Sequence, residues 1–174
     1  FAHGPKAAFD ISAQAPARER LAYDEFLAHQ LTKAIARSQA RMNIGRRTEG
    51  DGRLQTKILA QLPYKPTGAQ SRAIAEISAD MDSPRRMNRL LQGDVGAGKT
   101  LVGFMALLQA VEARGQGVLM APTEILARQH LEGLRPLADF AGVRLEILTG
   151  RDKNAVRRQK LADLRSGDIN ILVG

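Results

Sequence analysis

The sequence predicts an α/β fold: a three-layer parallel sheet with a helical extension on its N-terminal side. Short apolar runs alternate with helical patterns three times between Arg89 and Val173, with short connections. A glycine-rich loop separates the first apolar run from its helix, and the residues before Pro63 keep helical spacing. That alternating order implies a parallel sheet covered by helices. A parallel pair needs a crossover, and that crossover is right-handed.

Taken in order, residues 1–16 mix Gly, Pro, Ala and Ser without periodicity and read as linker. From Arg18 to about Met42, Leu21, Leu27, Ala28, Leu31, Ala34 and Ile35 fall on one helical stripe. Asp51 can cap a short helix with Leu54, Ile58, Leu59 and Leu62 inward, which Pro63 and Pro66 end. These pieces, residues 17–62, form the helical extension, and residues 63–174 form the lobe. Thr67 opens a helix to about Asp82. Arg89–Gln92 is a short apolar strand, followed by a helix from about Lys99 to Arg114. Val118–Ala121, Val143–Leu148 and Ile169–Val173 read as strands, separated by helices over Glu124 to about Leu137 and Lys153–Arg165. In such a sheet every strand-to-helix loop leaves at the carboxyl edge, where ligands bind. Gly93–Gly98, Pro122-Thr123 and Thr149–Asp152 are therefore expected on one rim.

The formal charge is +8, with 10 Lys/Arg against 6 Asp/Glu in residues 1–62 and 16 against 12 in the rest. A basic balance favours a polyanionic partner such as nucleic acid, although many basic proteins have none. Cys is absent, which excludes disulfides and cysteine-ligated metal and fits a cytosolic protein. No run reaches the roughly 18 apolar residues of a membrane span, and no apolar region follows the first residues as in a signal peptide. A start at Phe1 and a closing apolar run, Ile169–Gly174, lead us to expect a piece of a longer chain.

Gly93-Asp94-Val95-Gly96-Ala97-Gly98-Lys99-Thr100 matches the phosphate-loop pattern G-x-x-x-x-G-K-[ST] in full. Its glycines let the backbone wrap a phosphate, and the helix that follows offers free N–H groups and a positive dipole end. Lys99 is placed to reach the β- and γ-phosphates of a nucleotide such as ATP. The Thr100 hydroxyl is placed to ligate Mg²⁺. The bland alternative is a glycine-rich turn without a ligand.

The flanking segments add a resemblance. Leu91–Thr100 resembles the first helicase motif of the RecG-like branched-DNA helicases of superfamily 2, and Met120–His130 resembles their next motif. Leu148-Thr149-Gly150 is similar to the third, and Ile171–Gly174 to the strand leading into a fourth. Leu62–Gln70 resembles the adenine-reading motif that precedes the P-loop, and Ala17–Arg37 the helix leading into the motor from the DNA-binding wedge domain. The strong part covers residues 62–174; Ala97 is often Ser in the family.

The resemblance implies a truncated RecA-like P-loop NTPase lobe and a parent that is an ATP-dependent, bacterial, cytoplasmic helicase acting on stalled forks and Holliday junctions. It implies that Gln70 contacts adenine, beside a plain role in a capping box with Thr67. It implies that Thr123, Thr149, Gly150, Arg151 and Lys153 touch the phosphate backbone of DNA. Thr123 as a helix cap, Thr149-Gly150 as a mere turn, and Arg151, Lys153, Arg157, Arg158, Lys160 and Arg165 as a solvated face are the alternatives. Family partners beyond this chain are the rest of the lobe, a second motor lobe and the wedge domain.

No apolar strand here ends in the Asp-Glu pair that serves Mg²⁺ and water in superfamily 2 enzymes; Asp163 and Asp168 fall on a helix and in a turn. Nucleotide binding without hydrolysis is therefore expected of these residues. The motor of a transcription–repair coupling factor, a non-motor P-loop kinase or transporter ATPase, and a P-loop domain kept only as a binding module are the competing readings. Gln70 upstream and Pro122-Thr123-Glu124 downstream speak against a non-motor enzyme.

Overall fold

The computed structural model describes residues 15–42 and 44–174. The chain divides into two compact units, residues 1–44 and 45–174. The linker expected over residues 1–16 lies outside the described residues except for Ala15 and Pro16. In the first unit, α1 (Pro16–Met42) begins at a proline, whose fixed φ suits the first helical position. The Ala15 carbonyl accepts the N–H groups of Arg18 and Glu19. Leu21, Leu27, Leu31 and Ile35 do fall at helical spacing, and all four are exposed.

The second unit contains α2 (Arg53–Gln61), α3 (Gly68–Met81), α4 (Lys99–Glu112), β1 (Gly117–Leu119), α5 (Glu124–Ala141), β2 (Leu145–Ile147), α6 (Asn154–Ser166) and β3 (Ile171–Val173). The sheet is parallel with order β1-β3-β2. Ile171 pairs with both Gly117 and Leu145, and Val173 with both Leu119 and Ile147. Flanked on both edges, β3 is buried at all three positions, and Ile-Leu-Val is the unbroken apolar run such a strand requires. Leu145, Ile147, Ile171 and Val173 pack with Phe104, Met105 and Leu108 of α4 and Leu131, Leu134 and Ala138 of α5 in one core.

Two sequence expectations are corrected. Arg89–Gln92 is not a strand. The three strands of the sheet pair only with one another, and Leu90 is 88% exposed. An apolar run becomes a strand only where a neighbouring strand takes its N–H and C=O groups, and none lies beside it among the described residues. The run is held instead by Arg89, which ion-pairs with Glu76 and Asp80 of α3.

The compact unit begins at Gly45, and α2 belongs to its core: Ile58 is fully buried and Leu54 nearly so. Polar groups hold the same segment. The buried Gln109 Nε2 donates to the Thr48 carbonyl and the Asp82 carboxylate, both at 2.9 Å. The Glu112 carboxylate accepts the N–H groups of Gly52 and Leu54 at the start of α2.

The other correction is at the end of α5, which holds Pro136 inside it and runs beyond the expected stop near Leu137 to Ala141. A proline forfeits only its own N–H bond and crowds the previous turn. Burial of Ala138 and Ala141 against the core outweighs that local loss. No helix among the described residues is long and apolar enough to cross a membrane.

Candidate nucleotide site and strand-end rim

The P-loop spans the connection into α4. Gly96 (φ 83°) and Gly98 (φ 76°) both occupy the left-handed region, which places a turn immediately before the helix. The Ala97 N–H closes that turn on the Asp94 carbonyl at 3.2 Å. Val95 at the loop's tip is fully exposed. Lys99, the first residue of α4, folds back so that its ammonium donates to the carbonyls of Gly93 and Asp94, at 2.5 and 2.6 Å. Thr100 follows it, exposed, in the first turn. A helix start carries N–H groups without helical acceptors and the positive end of the macrodipole. The residue types and backbone therefore suit a polyphosphate bearing Mg²⁺.

Gln70 joins this loop to α3. Its carbonyl accepts the Thr67 N–H at 2.9 Å while the Thr67 hydroxyl accepts the Gln70 N–H, a complete capping box. Its amide NH₂ donates to the Ala97 carbonyl at 2.9 Å. Gln70 thus caps one helix and braces the loop in front of the next. A Cβ on Gly98 would lie 2.2 Å from the Gln70 nitrogen, so only glycine allows this approach. Tyr64 is largely exposed.

The carboxyl edge of the sheet carries the other predicted positions. Thr123 follows β1 and caps α5, its hydroxyl accepting the Leu126 N–H at 3.3 Å. Thr149, Gly150 and Arg151 follow β2, and Lys153 caps α6 without a side-chain bond. Asp152 organises this second loop. One carboxylate oxygen accepts the Thr149 N–H at 2.8 Å, and the other takes the Lys160 ammonium at 2.8 Å. Lys160 also donates to the Ile147 carbonyl at 2.7 Å. The hydrogen bond from Lys160, then that from Thr149, hold the Asp152 carboxyl below its ordinary range.

Lys160 is therefore no part of a solvated basic face. Its side chain is 17% exposed and committed to the loop. The reach of a lysine one α6 turn or two behind a strand-end aspartate could have pointed to this pairing. The two rim loops also meet through Glu124, which binds Arg151 at 3.2 Å and Arg128 at 2.8 Å. Only the second of these is visible in sequence, as an i,i+4 pair. The contacts of the P-loop run to α3 instead.

This P-loop, opening a helix in a parallel α/β lobe, has the arrangement of the P-loop NTPase folds, and the comparisons narrow the family. The DEAD/DEAH box helicase family matches residues 67–174, and the chain belongs to that family. Within it the chain is similar to the ATP-dependent DNA helicase RecG. The identity is 40% to the Escherichia coli O157:H7 protein, over 99% of this chain and 25% of that protein. It is 45% to the Bacillus subtilis protein, over 91% of this chain and 23% of that one. A solved structure of RecG bound to a three-way DNA junction superposes with TM-score 0.79 at 38% identity, over 91% of this chain and 22% of the other. The chain spans about a quarter of the length of these curated relatives.

Proposed function

We propose that this chain is the ATP-binding part of a bacterial, cytoplasmic DNA helicase motor that acts on branched DNA. The observation that carries the reading is the P-loop itself. Gly96 and Gly98 are left-handed in front of α4, Lys99 lies over the loop, and Gln70 braces it from α3. In this reading Gly93–Thr100 cradle the phosphates, Thr100 ligates Mg²⁺, and Gln70 turns its amide toward adenine. Thr123, Thr149, Gly150, Arg151 and Lys153 contact the phosphates of one DNA strand. Such contacts position a strand without reading its sequence.

These residues bind nucleotide without cleaving it. Cleavage needs a placed water, a carboxylate on the metal side and a cation on the developing charge. β1 and β2 run into Met120 and Leu148, and Asp152, beyond β2, is committed to the Thr149 N–H and the Lys160 ammonium. An arginine finger alone is worth about 10³–10⁵ in rate.

Calorimetric titration with Mg-ATP and Mg-ADP tests the assignment. Lys99→Ala is expected to weaken binding, and equal affinity in the two proteins would sink the nucleotide site. Phosphate release should stay near background with or without junction DNA. Turnover that DNA stimulates and Lys99→Ala abolishes would show that a carboxylate among these residues does catalyse.

A further inference from the structure

Glu124 stands between the two loops assigned to the DNA strand. Asp152 and Lys160 fix the backbone of the second loop, so Arg151 departs from a set position. Its guanidinium reaches back across the rim to Glu124 at 3.2 Å. The same carboxylate receives Arg128 through Nε at 3.1 Å and through a terminal nitrogen at 2.8 Å. One anion therefore holds two guanidiniums, Arg128 from its own helix α5 and Arg151 from the loop after β2. Arg151 is 82% exposed and Arg128 52%, whereas Glu124 is 23% exposed beneath them.

We propose that Glu124 is the resident counter-ion of this rim. It positions Arg151 and Arg128 when no strand is present, and a backbone phosphate takes its place when one arrives. The proposal rests on the DNA reading above. Exposed ion pairs are weak and salt-screened, so the exchange is cheap. A phosphate accepts the guanidinium fork as well as a carboxylate does. The device keeps two arginines from collapsing elsewhere while lowering the rim's standing attraction for any polyanion. Glu124 is a positioning residue, acting through the arginines.

The experiment measures binding of a fluorescent oligothymidine strand to the chain by anisotropy, from about 50 to 200 mM salt. Glu124→Gln removes the competitor and frees an arginine for one more phosphate. It should bind more tightly, with the salt slope steeper by about 0.7, the single-strand value per phosphate. Glu132→Gln, an equal charge change at an exposed site on the same helix, should leave the slope unchanged. Combining Glu124→Gln with Arg151→Ala and Arg128→Ala should erase the gain.

Equal gains from Glu124→Gln and Glu132→Gln would overturn the proposal, since they would reflect net charge alone. A gain that survives loss of both arginines would overturn it too. Wild type that binds in a salt-dependent way while Glu124→Gln changes neither affinity nor slope removes only the role of Glu124. Wild type with no salt-dependent binding removes the DNA reading and this proposal together.

Discussion

The loop before α4 and the loop after β2 solve opposite problems with opposite means. The P-loop is shaped by backbone: two left-handed glycines set its turn, and its lysine and glutamine are spent on the loop's own carbonyls. The Thr149–Asp152 loop is shaped by side chains: a carboxylate gathers a backbone N–H and an ammonium, and Gly150 has ordinary geometry with nothing within 4 Å of a Cβ position. A loop that must wrap a phosphate needs its N–H groups aimed inward, and only backbone conformation can do that. A loop proposed to present side chains to a strand needs a fixed base, and here the tip of Arg151 is held by Glu124.

The largest expected effect is at Gly98. Gly98→Ala would force a Cβ into the left-handed region at a cost of about 1–2 kcal/mol. It would also drive the Gln70 amide off Ala97, because the new atom would sit 2.2 Å from its nitrogen. If that cost falls on the binding-competent loop, Mg-ATP affinity drops roughly five- to thirtyfold. Calorimetry reads this directly. Unchanged affinity would mean that the nucleotide does not depend on this backbone turn.

How much of this was legible in the sequence follows the same division. Backbone-shaped features carry a local signature, so Gly93–Thr100, the Thr67–Gln70 capping box and the Thr123 cap could be read directly. That the strands are parallel was likewise readable from apolar runs between helices, but their order, with β3 between β1 and β2, was not. Features that depend on a distant partner were not. Arg89–Gln92 has the composition of a strand but no neighbour to pair with. The inward stripe of α2, with Leu54 and Ile58, was readable, but its packing against α4 and α5, dozens of residues away, was not. Lys160 looked like one more cation on a basic helix, because its partner Asp152 is set by how the loop after β2 folds back. The hydrogen bond of Gln70 to Ala97 required knowing that α3 begins beside the P-loop.

Removing the side-chain scaffold is the next largest change. Asp152→Ala would strand the partly buried Lys160 ammonium and the Thr149 N–H, costing about 1–3 kcal/mol of stability. Thermal unfolding of wild type and variant across pH checks both size and sign. The folded state lowers the Asp152 pKa, so the contribution is fully present above the ordinary value of 3.8. It is lost as pH falls through the lowered folded value. The two melting curves should therefore stay apart at neutral pH and converge in strong acid. A gap that persists in acid would show that ionisation of Asp152 does not stabilise the loop.

The smallest expected effect sharpens the comparison most. Gly150→Ala adds a methyl group at a backbone position outside the left-handed region, where no atom lies within 4 Å. Stability should change by less than about 0.5 kcal/mol. Nothing in the fold asks for glycine there, in contrast to Gly98. Close approach of a strand would ask for it, because phosphate oxygens meet a backbone N–H more easily without a Cβ beside it. The two readouts then separate. An unchanged melting temperature with weaker binding of single-stranded DNA assigns Gly150 to the strand. An unchanged melting temperature with unchanged binding leaves Thr149 and Arg151 as the contacts on this loop. A melting temperature that falls as far as in Gly98→Ala would break the comparison, since the loop after β2 would then depend on its glycine as the P-loop does.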